Sequence, residues 1–266
     1  MTRAIDRRRV LKLGALAAGS TLGFSRAAEA AAHRCTSALA QSCAVVVRRP
    51  EVGELTPDQW NRFTRAVKEM AGTTGAGSYH SAVAIGYNNS ARWRGVAAFL
   101  PWLRVYLRRF EQALQRADPS VVLPYWDWTR DSKSPGTSRM LSSSYFGGTG
   151  RPSDGTVVGG SFANWKCTIP DDHFLRRSGD KVPSFYSAEG IESILIRATS
   201  YDSLRRNLEG ASFDAVLTSI GGRNGDMSFR YAPNDPLFWV VACFTGRNGR
   251  SGTPRWPAPI TAGRSP

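Results

Sequence analysis

Three histidines are the side chains of this sequence best suited to bind a metal ion, and they stand far apart, at His33, His80 and His173. A neutral imidazole nitrogen is a good ligand for copper, zinc or iron, but one imidazole alone does not make a transition-metal site. We therefore expect His33 to be solvent-exposed and His80 to be a surface or loop residue. His173 follows two aspartates, so a local carboxylate–imidazole contact is its expected role.

Four cysteines could supply disulfides or metal-binding thiolates. Cys35 and Cys43 are close in sequence, and we expect them to form a disulfide if the chain is exported to an oxidising compartment. Cys167 lies in a loop-like stretch, whereas the apolar run around Cys243 predicts a buried free thiol. No Cys-x-x-Cys spacing occurs, so the sequence gives no support to a structural zinc site.

Helical patterns provide the frame that would position such groups. Thr56-Pro57-Asp58 combines an N-cap with a proline in the first turn and predicts a helix that runs to about Gly72. Residues 72–89 are rich in glycine and asparagine and predict a loop. A second helix is predicted from about Pro101 to Asp118, with Leu103 on its core-facing stripe.

The second half of the chain begins with a long irregular segment, residues 130–184, rich in glycine, serine, proline and aspartate. Helical patterns return at 187–199 and 202–220. A last helix is predicted from Asn234-Asp235-Pro236, and it should end before Gly246. Four main helices joined by long loops predict a mainly α fold, a four-helix bundle with a site between facing helices.

The N-terminal residues 1–32 have the order of a bacterial export signal. Basic residues precede an apolar, alanine-rich run, and Arg7-Arg8-Arg9-Val10-Leu11-Lys12 resembles a twin-arginine signal. An ordinary, arginine-rich secretory signal is the alternative. We expect an extracellular or cell-envelope protein with no stable membrane insertion after signal removal. The predicted organisation is a signal at 1–32, one domain at 33–245 and a disordered basic tail at 246–266.

The formal charge of +14 at pH 7 makes the chain strongly basic. Its arginines are spread along the sequence rather than packed into one block with interleaved aromatic residues, so no nucleic-acid site is predicted. Charge alone leaves open a weak attraction to anionic polymers of the cell surface. The sequence does not identify a small-molecule ligand.

Specific motifs carry a family resemblance over residues 50–245. They are Phe99-Leu100-Pro101-Trp102, Leu123-Pro124-Tyr125-Trp126-Asp127-Trp128 and Pro233-Asn234-Asp235-Pro236-Leu237-Phe238-Trp239. Together they resemble the tyrosinase, catechol oxidase and hemocyanin family, which holds two coppers between two triads of histidines from four helices. The resemblance implies this fold and, for the family, copper-dependent oxidation of phenols or catechols.

The positions that the resemblance assigns to the copper ligands do not carry histidine. In the family's F-L-P-W-H-R pattern the histidine falls on Leu103, and the ligand nine residues earlier falls on Arg94. The first ligand falls on Gly86 or, in another alignment, near His80. The ligands of the second half fall on Phe213, Leu217, Val241 and Ala242. A carbon side chain cannot bind a metal ion, so no metal and no cofactor are predicted, although copper is expected for the family.

Two interpretations of these positions remain open. The apolar residues could fill the space as a repacked core. Arg94, Glu209 and Asp214 could instead form a polar pocket for binding or acid/base chemistry, or only surface salt bridges. We predict an exported protein of the tyrosinase fold that has lost its dicopper site, a non-catalytic pseudoenzyme or a binding or scaffold protein. The alternative is an enzyme: a tyrosinase-like oxidoreductase acting on phenols or catechols, or a metal-independent enzyme using the same pocket.

Overall fold

The helix predicted after Thr56 is present as α1 (Pro57–Gly72) in the computed structural model, which describes residues 48–178 and 184–252. A capping box closes its first turn: the Thr56 hydroxyl accepts the Gln59 N–H at 3.2 Å, and the Gln59 side chain accepts the Thr56 N–H at 2.9 Å. The inner face of α1 is buried, and it consists of Trp60, Phe63, Ala66, Val67 and Met70. The sequence signals for this helix are confirmed.

Several sequence predictions concern residues outside the described ranges. They are the export signal at 1–32, the exposure of His33, the Cys35–Cys43 disulfide and residues 253–266 of the tail. These stay predictions. Within the described ranges, no helix combines the length and the apolar character that a membrane span requires.

The prediction of a loop over residues 72–89 is wrong in its second half, which forms helix α2 (Tyr79–Asn88). A single turn, α3 (Ser90–Trp93), follows it. The Ser78 side chain caps α2, and the buried Tyr79 hydroxyl donates to a backbone carbonyl near the last helix at 2.9 Å. These contacts outweigh the weak helix propensity of the glycine and asparagine in this segment.

Helix α4 (Phe99–Ala117) is the second predicted helix and begins slightly before Pro101. Its stripe of apolar residues is buried, as the spacing predicts, and it consists of Leu103, Leu107, Phe110 and Leu114. One side of α4 packs against α1. The core-facing position expected for Leu103 is confirmed.

The long irregular segment is confirmed, with short 3-10 helices at Trp128–Asp131, Pro135–Thr137 and Arg139–Leu141. A small antiparallel hairpin then pairs β1 (Lys166–Cys167) with β2 (His173–Phe174), so that Cys167 lies directly opposite His173. Cys167 is therefore a buried free thiol in a strand, although its neighbours in the sequence are typical of a loop.

A buried ion pair anchors this irregular segment to the start of the last helix. Arg177 Nε and Nη2 donate to the two carboxylate oxygens of Asp235 at 2.7 and 2.8 Å, and both side chains are fully buried. Arg177 Nη1 also donates to the carbonyls of Phe146, Gly147 and Gly148 at 2.6 to 3.2 Å. One guanidinium thus holds together a region that has little regular secondary structure.

Helix α5 (Ala188–Arg197) leads into a continuous helical stretch that consists of α6 (Tyr201–Arg206), a π-helix (Asn207–Asp214) and α7 (Ala215–Gly221). The helices predicted at 187–199 and 202–220 are confirmed. The π-helix is a local departure that the apolar periodicity does not reveal. Two 3-10 turns, Asp226–Ser228 and Ala232–Asn234, then connect to the last helix.

The last helix, α8 (Pro236–Gly252), begins where predicted but continues past Gly246, so the predicted end is wrong. The glycines that suggest a break permit a close approach to α4 instead. A Cβ on Gly249 would lie 2.9 Å from a methyl carbon of Leu100, and one on Gly246 would lie 3.3 Å from Leu107. Packing of this helix against α4 therefore outweighs the low helix propensity of glycine.

The elements that carry the candidate site face one another. Helix α8 packs against both α4 and the π-helix. Cys243 on α8 is a buried free thiol, which confirms its prediction. The mainly helical fold predicted from the sequence is also confirmed.

Glu111 on α4 is expected to make stability depend on acid pH. Its carboxylate accepts hydrogen bonds from Arg49, Arg108 and the Leu123 N–H at 2.9 to 3.1 Å. Burial favours the neutral form, but the bonds and charge of Arg49, helped by Arg108, outweigh it, so the pKa of Glu111 lies below its usual 4.5. Because the folded-state pKa is the lower one, this stabilisation is complete above pH 4.5 and is lost as the pH falls through the folded-state pKa.

Glu111→Gln should therefore lower the free energy of unfolding by about 1–3 kcal/mol at neutral pH. The difference from the unmodified protein should shrink under acid conditions, where the carboxylate is protonated in both states. Urea denaturation of both proteins at neutral and acid pH measures this, with the exposed Glu69→Gln as a matched control. An equal difference at both pH values would contradict the role of the ionised carboxylate.

Candidate functional site

The apolar residues at the assigned ligand positions belong to one continuous core. Leu103 lies on α4, Phe213 on the π-helix, Leu217 on α7, and Val241 and Ala242 on α8. Each is at most 3% exposed, and all five are members of the same cluster of packed side chains. Segments far apart in sequence thus meet in one hydrophobic core at these positions, and each supplies an apolar side chain.

Phe213 is the largest of these side chains and fills its surroundings closely. Its ring centroid lies 5.7 Å from that of Phe99 on α4 and 5.9 Å from that of Phe238 on α8. The guanidinium of Arg94 lies over the same ring, 5.4 Å from its centroid. The ring therefore connects three segments of the structure by direct packing.

Gly86 on α2 is buried and has no space for a side chain. A Cβ at this position would lie 2.6 Å from the Tyr106 hydroxyl and 3.3 Å from Pro233. That hydroxyl is held in place by donation to the Ala82 carbonyl at 2.7 Å. A histidine at position 86 would require Tyr106 to move.

Arg94, Glu209 and Asp214, for which the sequence left a polar pocket and surface salt bridges as alternatives, lie together. Arg94, just after α3, donates through Nη2 to Asp214, and its Nε lies 3.6 Å from the Glu209 carboxylate. Glu209 is only 5% exposed, and it accepts the Gly95 N–H at 2.7 Å and Arg205 Nη1 at 2.8 Å. Because Glu209 is buried and fully paired, this network is more than a set of surface salt bridges.

Asp214 is the member of this network with a shifted proton affinity. Burial raises the pKa of its carboxyl above the usual value, and the positive charge and hydrogen bond of Arg94 only partly offset the effect. A carboxyl group of this kind retains its proton to a higher pH than an exposed aspartate does. It is the group in this network best suited to exchange a proton or to donate a hydrogen bond to a ligand.

The π-helix explains why two carboxylates of one segment reach the same guanidinium. Hydrogen bonds from i to i+5 widen the helix, so residues five apart face in similar directions. Glu209 and Asp214 are five residues apart and both contact Arg94. The buried Ser212 hydroxyl of the same helix has no hydrogen-bond partner in the described structure. Irregular helical turns of this kind occur frequently at functional sites.

A cavity of about 310 Å³ opens beside this network. Arg94, Asp214 and Leu217 are part of its wall, so it adjoins the assigned ligand positions. Its other lining residues are Ser90, Trp93, Thr218, Met227, Ser228, Phe229, Arg230, Ala232, Pro233 and Phe238. Aromatic rings and a few charged groups therefore surround one space of the size that accepts a small molecule.

The two histidines of the described residues, His80 and His173, do not line this cavity. His80 is on α2 rather than in a loop, and its Nδ1 lies 3.1 Å from the Thr168 hydroxyl. His173 Nδ1 lies 2.8 Å from the backbone carbonyl of Asp171 and 3.8 Å from that residue's carboxylate. The expected local contact of His173 is present, but its shorter carboxylate contact is with a distant residue.

That distant residue is Asp226, whose Oδ1 lies 2.8 Å from His173 Nε2. With Cys167, the two side chains form a group whose ligand atoms all lie within 4.8 Å of one another. This group was not predicted from the sequence. The short separation of Cys167 and His173 is a signal that could have been used, but nothing in the sequence indicates that Asp226 joins them.

The sequence is similar to known proteins over most of its length. Residues 74–248 match the family model described as the common central domain of tyrosinase. The tyrosinase of Streptomyces glaucescens is 36% identical over 214 residues, which cover 72% of this chain and 77% of that protein. The tyrosinase of Streptomyces antibioticus is 34% identical over 216 residues, which cover 72% of this chain and 77% of that protein.

Solved structures share the fold at lower identity. A functional unit of octopus hemocyanin matches with a TM-score of 0.55 and 21% identity, over 76% of this chain and 52% of that chain. The tyrosinase of Burkholderia thailandensis matches with a TM-score of 0.51 and 15% identity, over 78% of this chain and 61% of that chain. This chain therefore spans only part of the length of these structural relatives.

Proposed function

Because this chain belongs to the tyrosinase family, we propose that it is an exported, copper-free member that binds small molecules without oxidising them. The observation that carries the proposal is the replacement of the assigned copper ligands by residues without a metal-binding atom or, at Arg94, by a cation. Export rests on the twin-arginine-like sequence at residues 1–32.

The residues around the cavity do not fit a pair of copper ions. Two triads of imidazoles would be required, and the whole sequence has three histidines. His80 and His173 make their contacts elsewhere, with Thr168 and Asp226. Arg94 brings a permanent positive charge to the cavity wall, which opposes binding of a cation. We therefore assign no copper-dependent step to this cavity.

The cavity is better suited to a small planar ligand. Trp93, Phe229 and Phe238 provide aromatic surface for stacking or edge contacts. Arg94 and Asp214 provide a donor and a carboxyl group at one wall, which would orient a hydroxyl-bearing ring. Phenols and catechols combine these features, so the family's substrate class is the first to test as ligands.

Copper binding and catechol oxidation test the proposal together. The Cys167→Ala variant is used because Cys167, His173 and Asp226 form a separate group that could itself bind copper. This variant is incubated with excess copper and then desalted. We expect almost no copper per chain by elemental analysis and no catechol oxidation above a protein-free control. Calorimetry should nevertheless detect catechol binding. Two coppers per chain with catalytic oxidation would overturn the proposal and establish a phenol or catechol oxidoreductase.

Variants of two exposed threonines identify where catechol binds. Thr218 lines the cavity and Thr73 does not, so Thr218→Trp should fill the space whereas Thr73→Trp should leave it unchanged. We expect Thr218→Trp to weaken binding at least about tenfold, which corresponds to ~1.4 kcal/mol. Equal affinities of the two variants would place the ligand elsewhere. Absence of binding in the unmodified protein would reject the binding function.

A further inference from the structure

A second group of side chains lies outside the cavity and has the composition of a metal site. Cys167, His173 and Asp226 offer a sulfur, a nitrogen and an oxygen atom, all within 4.8 Å of one another. None of the three lines the cavity of the proposed function. We propose that these residues form a Zn²⁺ site with three protein ligands and a fourth, open position.

The hairpin fixes two of the ligands relative to each other. Cys167 and His173 are paired positions of β1 and β2, so their side chains project from the same face of the ladder. The Cys167 side chain is buried, and the His173 side chain opposite it is only 9% exposed. The pairing of β1 and β2 alone therefore holds a thiol and an imidazole close together, and both are ligands that suit zinc.

The histidine ring is oriented as a metal-binding histidine should be. The backbone carbonyl of Asp171 lies 2.8 Å from His173 Nδ1 and accepts its hydrogen, so Nε2 points toward the other ligands. A backbone carbonyl in this role fixes the ring and selects the nitrogen that remains available. The exposed Asp171 carboxylate lies 3.8 Å from Nδ1, on the side of the ring away from the other ligands.

The carboxylate of Asp226 is also held from outside the group. Its Oδ2 accepts the Arg176 N–H at 2.9 Å, and its Oδ1 accepts Asn234 Nδ2 at 2.7 Å. The second of these contacts comes from a residue that is itself buried. Asp226 therefore meets the other two ligands in a fixed orientation, the arrangement that outer contacts give to metal-binding carboxylates.

The charges of the group balance those of a zinc ion. Without metal, burial and the nearby Asp226 and Asp235 carboxylates raise the pKa of the Cys167 thiol, so the sulfur retains its proton. On binding Zn²⁺, Sγ releases its proton to solvent, and Nε2 coordinates the ion while Nδ1 keeps its hydrogen bond to the Asp171 carbonyl. The resulting thiolate and carboxylate carry two negative charges against the two positive charges of the ion.

Tetrahedral coordination requires the three ligand atoms, which lie within 4.8 Å of one another, to adjust their separations. Bond lengths of ~2.0–2.3 Å to zinc place ligand atoms roughly 3.3–3.6 Å apart. His173 Nε2 and Asp226 Oδ1 are 2.8 Å apart as hydrogen-bonded partners and would separate by roughly half an ångström. Thiolate, imidazole and carboxylate together favour zinc over magnesium or calcium, which prefer oxygen ligands alone.

Zinc titration of the full chain tests this assignment. The protein is stripped of metal with a chelator, and calorimetry and elemental analysis with zinc alone should give one ion per chain. Cys167→Ala and His173→Gln should each weaken zinc binding by at least about 100-fold. Cys243→Ala removes the other described free thiol and should bind zinc normally. Because Cys35 and Cys43 could bind zinc as free thiols, the C35S/C43S variant is a second control and should also bind normally.

Cobalt(II) gives a readout that separates coordination from a loss of folding. Cobalt bound at this group should show a thiolate-to-metal absorption band, which Cys167→Ala should abolish while circular dichroism confirms the helical fold. Failure of the unmodified protein to bind zinc, or the same affinity in Cys167→Ala, would overturn the proposal. Neither result affects the copper experiment, since that test uses a chain without the Cys167 thiol.

Discussion

Arg177→Met should lower the free energy of unfolding by about 3–5 kcal/mol, because it leaves a buried carboxylate without its partner. Asp235 would retain the Leu237 N–H at 2.9 Å as a hydrogen-bond donor, while both bonds from the guanidinium would be lost. The carbonyls of Phe146, Gly147 and Gly148 would lose their donor as well. Circular dichroism in a urea series measures the change.

The matched control for this prediction is an exposed arginine with a similar partner. Arg151 donates two bonds to Asp154 at 2.7 Å, but its side chain is half exposed. Arg151→Met should cost no more than about 1 kcal/mol. Replacing both buried residues, in R177M/D235L, should recover part of the stability lost in the single variant. A cost for Arg177→Met no greater than that for Arg151→Met would show that the buried pair does not anchor the irregular segment.

Phe213→Ala should have an effect of similar size, a loss of about 3–5 kcal/mol. The ring is fully buried, and its removal would leave a cavity between Phe99 and Phe238. Phe213→Leu should cost less than about 1.5 kcal/mol because it largely conserves the volume. Urea denaturation of these variants tests whether the residue at this assigned ligand position supports the fold.

An exposed phenylalanine provides the comparison for this second prediction. Phe174 is 43% exposed, so Phe174→Ala should change the stability only slightly. If Phe213→Ala were as harmless as Phe174→Ala, the position would not be part of a repacked core.

The sequence motifs predicted which segments surround the site, because the motifs lie within those segments. Apolar spacing placed Leu103 on the inner face of its helix, and burial of the stripe is decided by that spacing alone. The resemblance also placed Arg94, Glu209 and Asp214 near the assigned ligand positions, but it did not predict the contacts among them. Apolar spacing and family motifs were sufficient to predict the helices and the inward position of Leu103.

Other features depend on contacts that a linear pattern does not contain. Residues 79–88 form a helix, and α8 continues past Gly246, because tertiary packing outweighs the local preference of glycine. The π-helix changes the direction of two carboxylates without changing the apolar pattern. The approach of Asp226 to Cys167 results from the path of an irregular segment, so no periodicity predicts it.

The close contact at Gly86 couples this position to Tyr106, so the order of substitutions would matter if a histidine were introduced there. Gly86→His alone would collide with the Tyr106 hydroxyl, which is 2.6 Å from where the new Cβ would lie. Shortening Tyr106 beforehand would remove a ring that packs against Trp102 and Trp239, with centroids 4.5 and 4.9 Å away. Each change is deleterious unless the other is already present. The two substitutions are therefore epistatic, and stepwise introduction of an imidazole at position 86 passes through a destabilised intermediate.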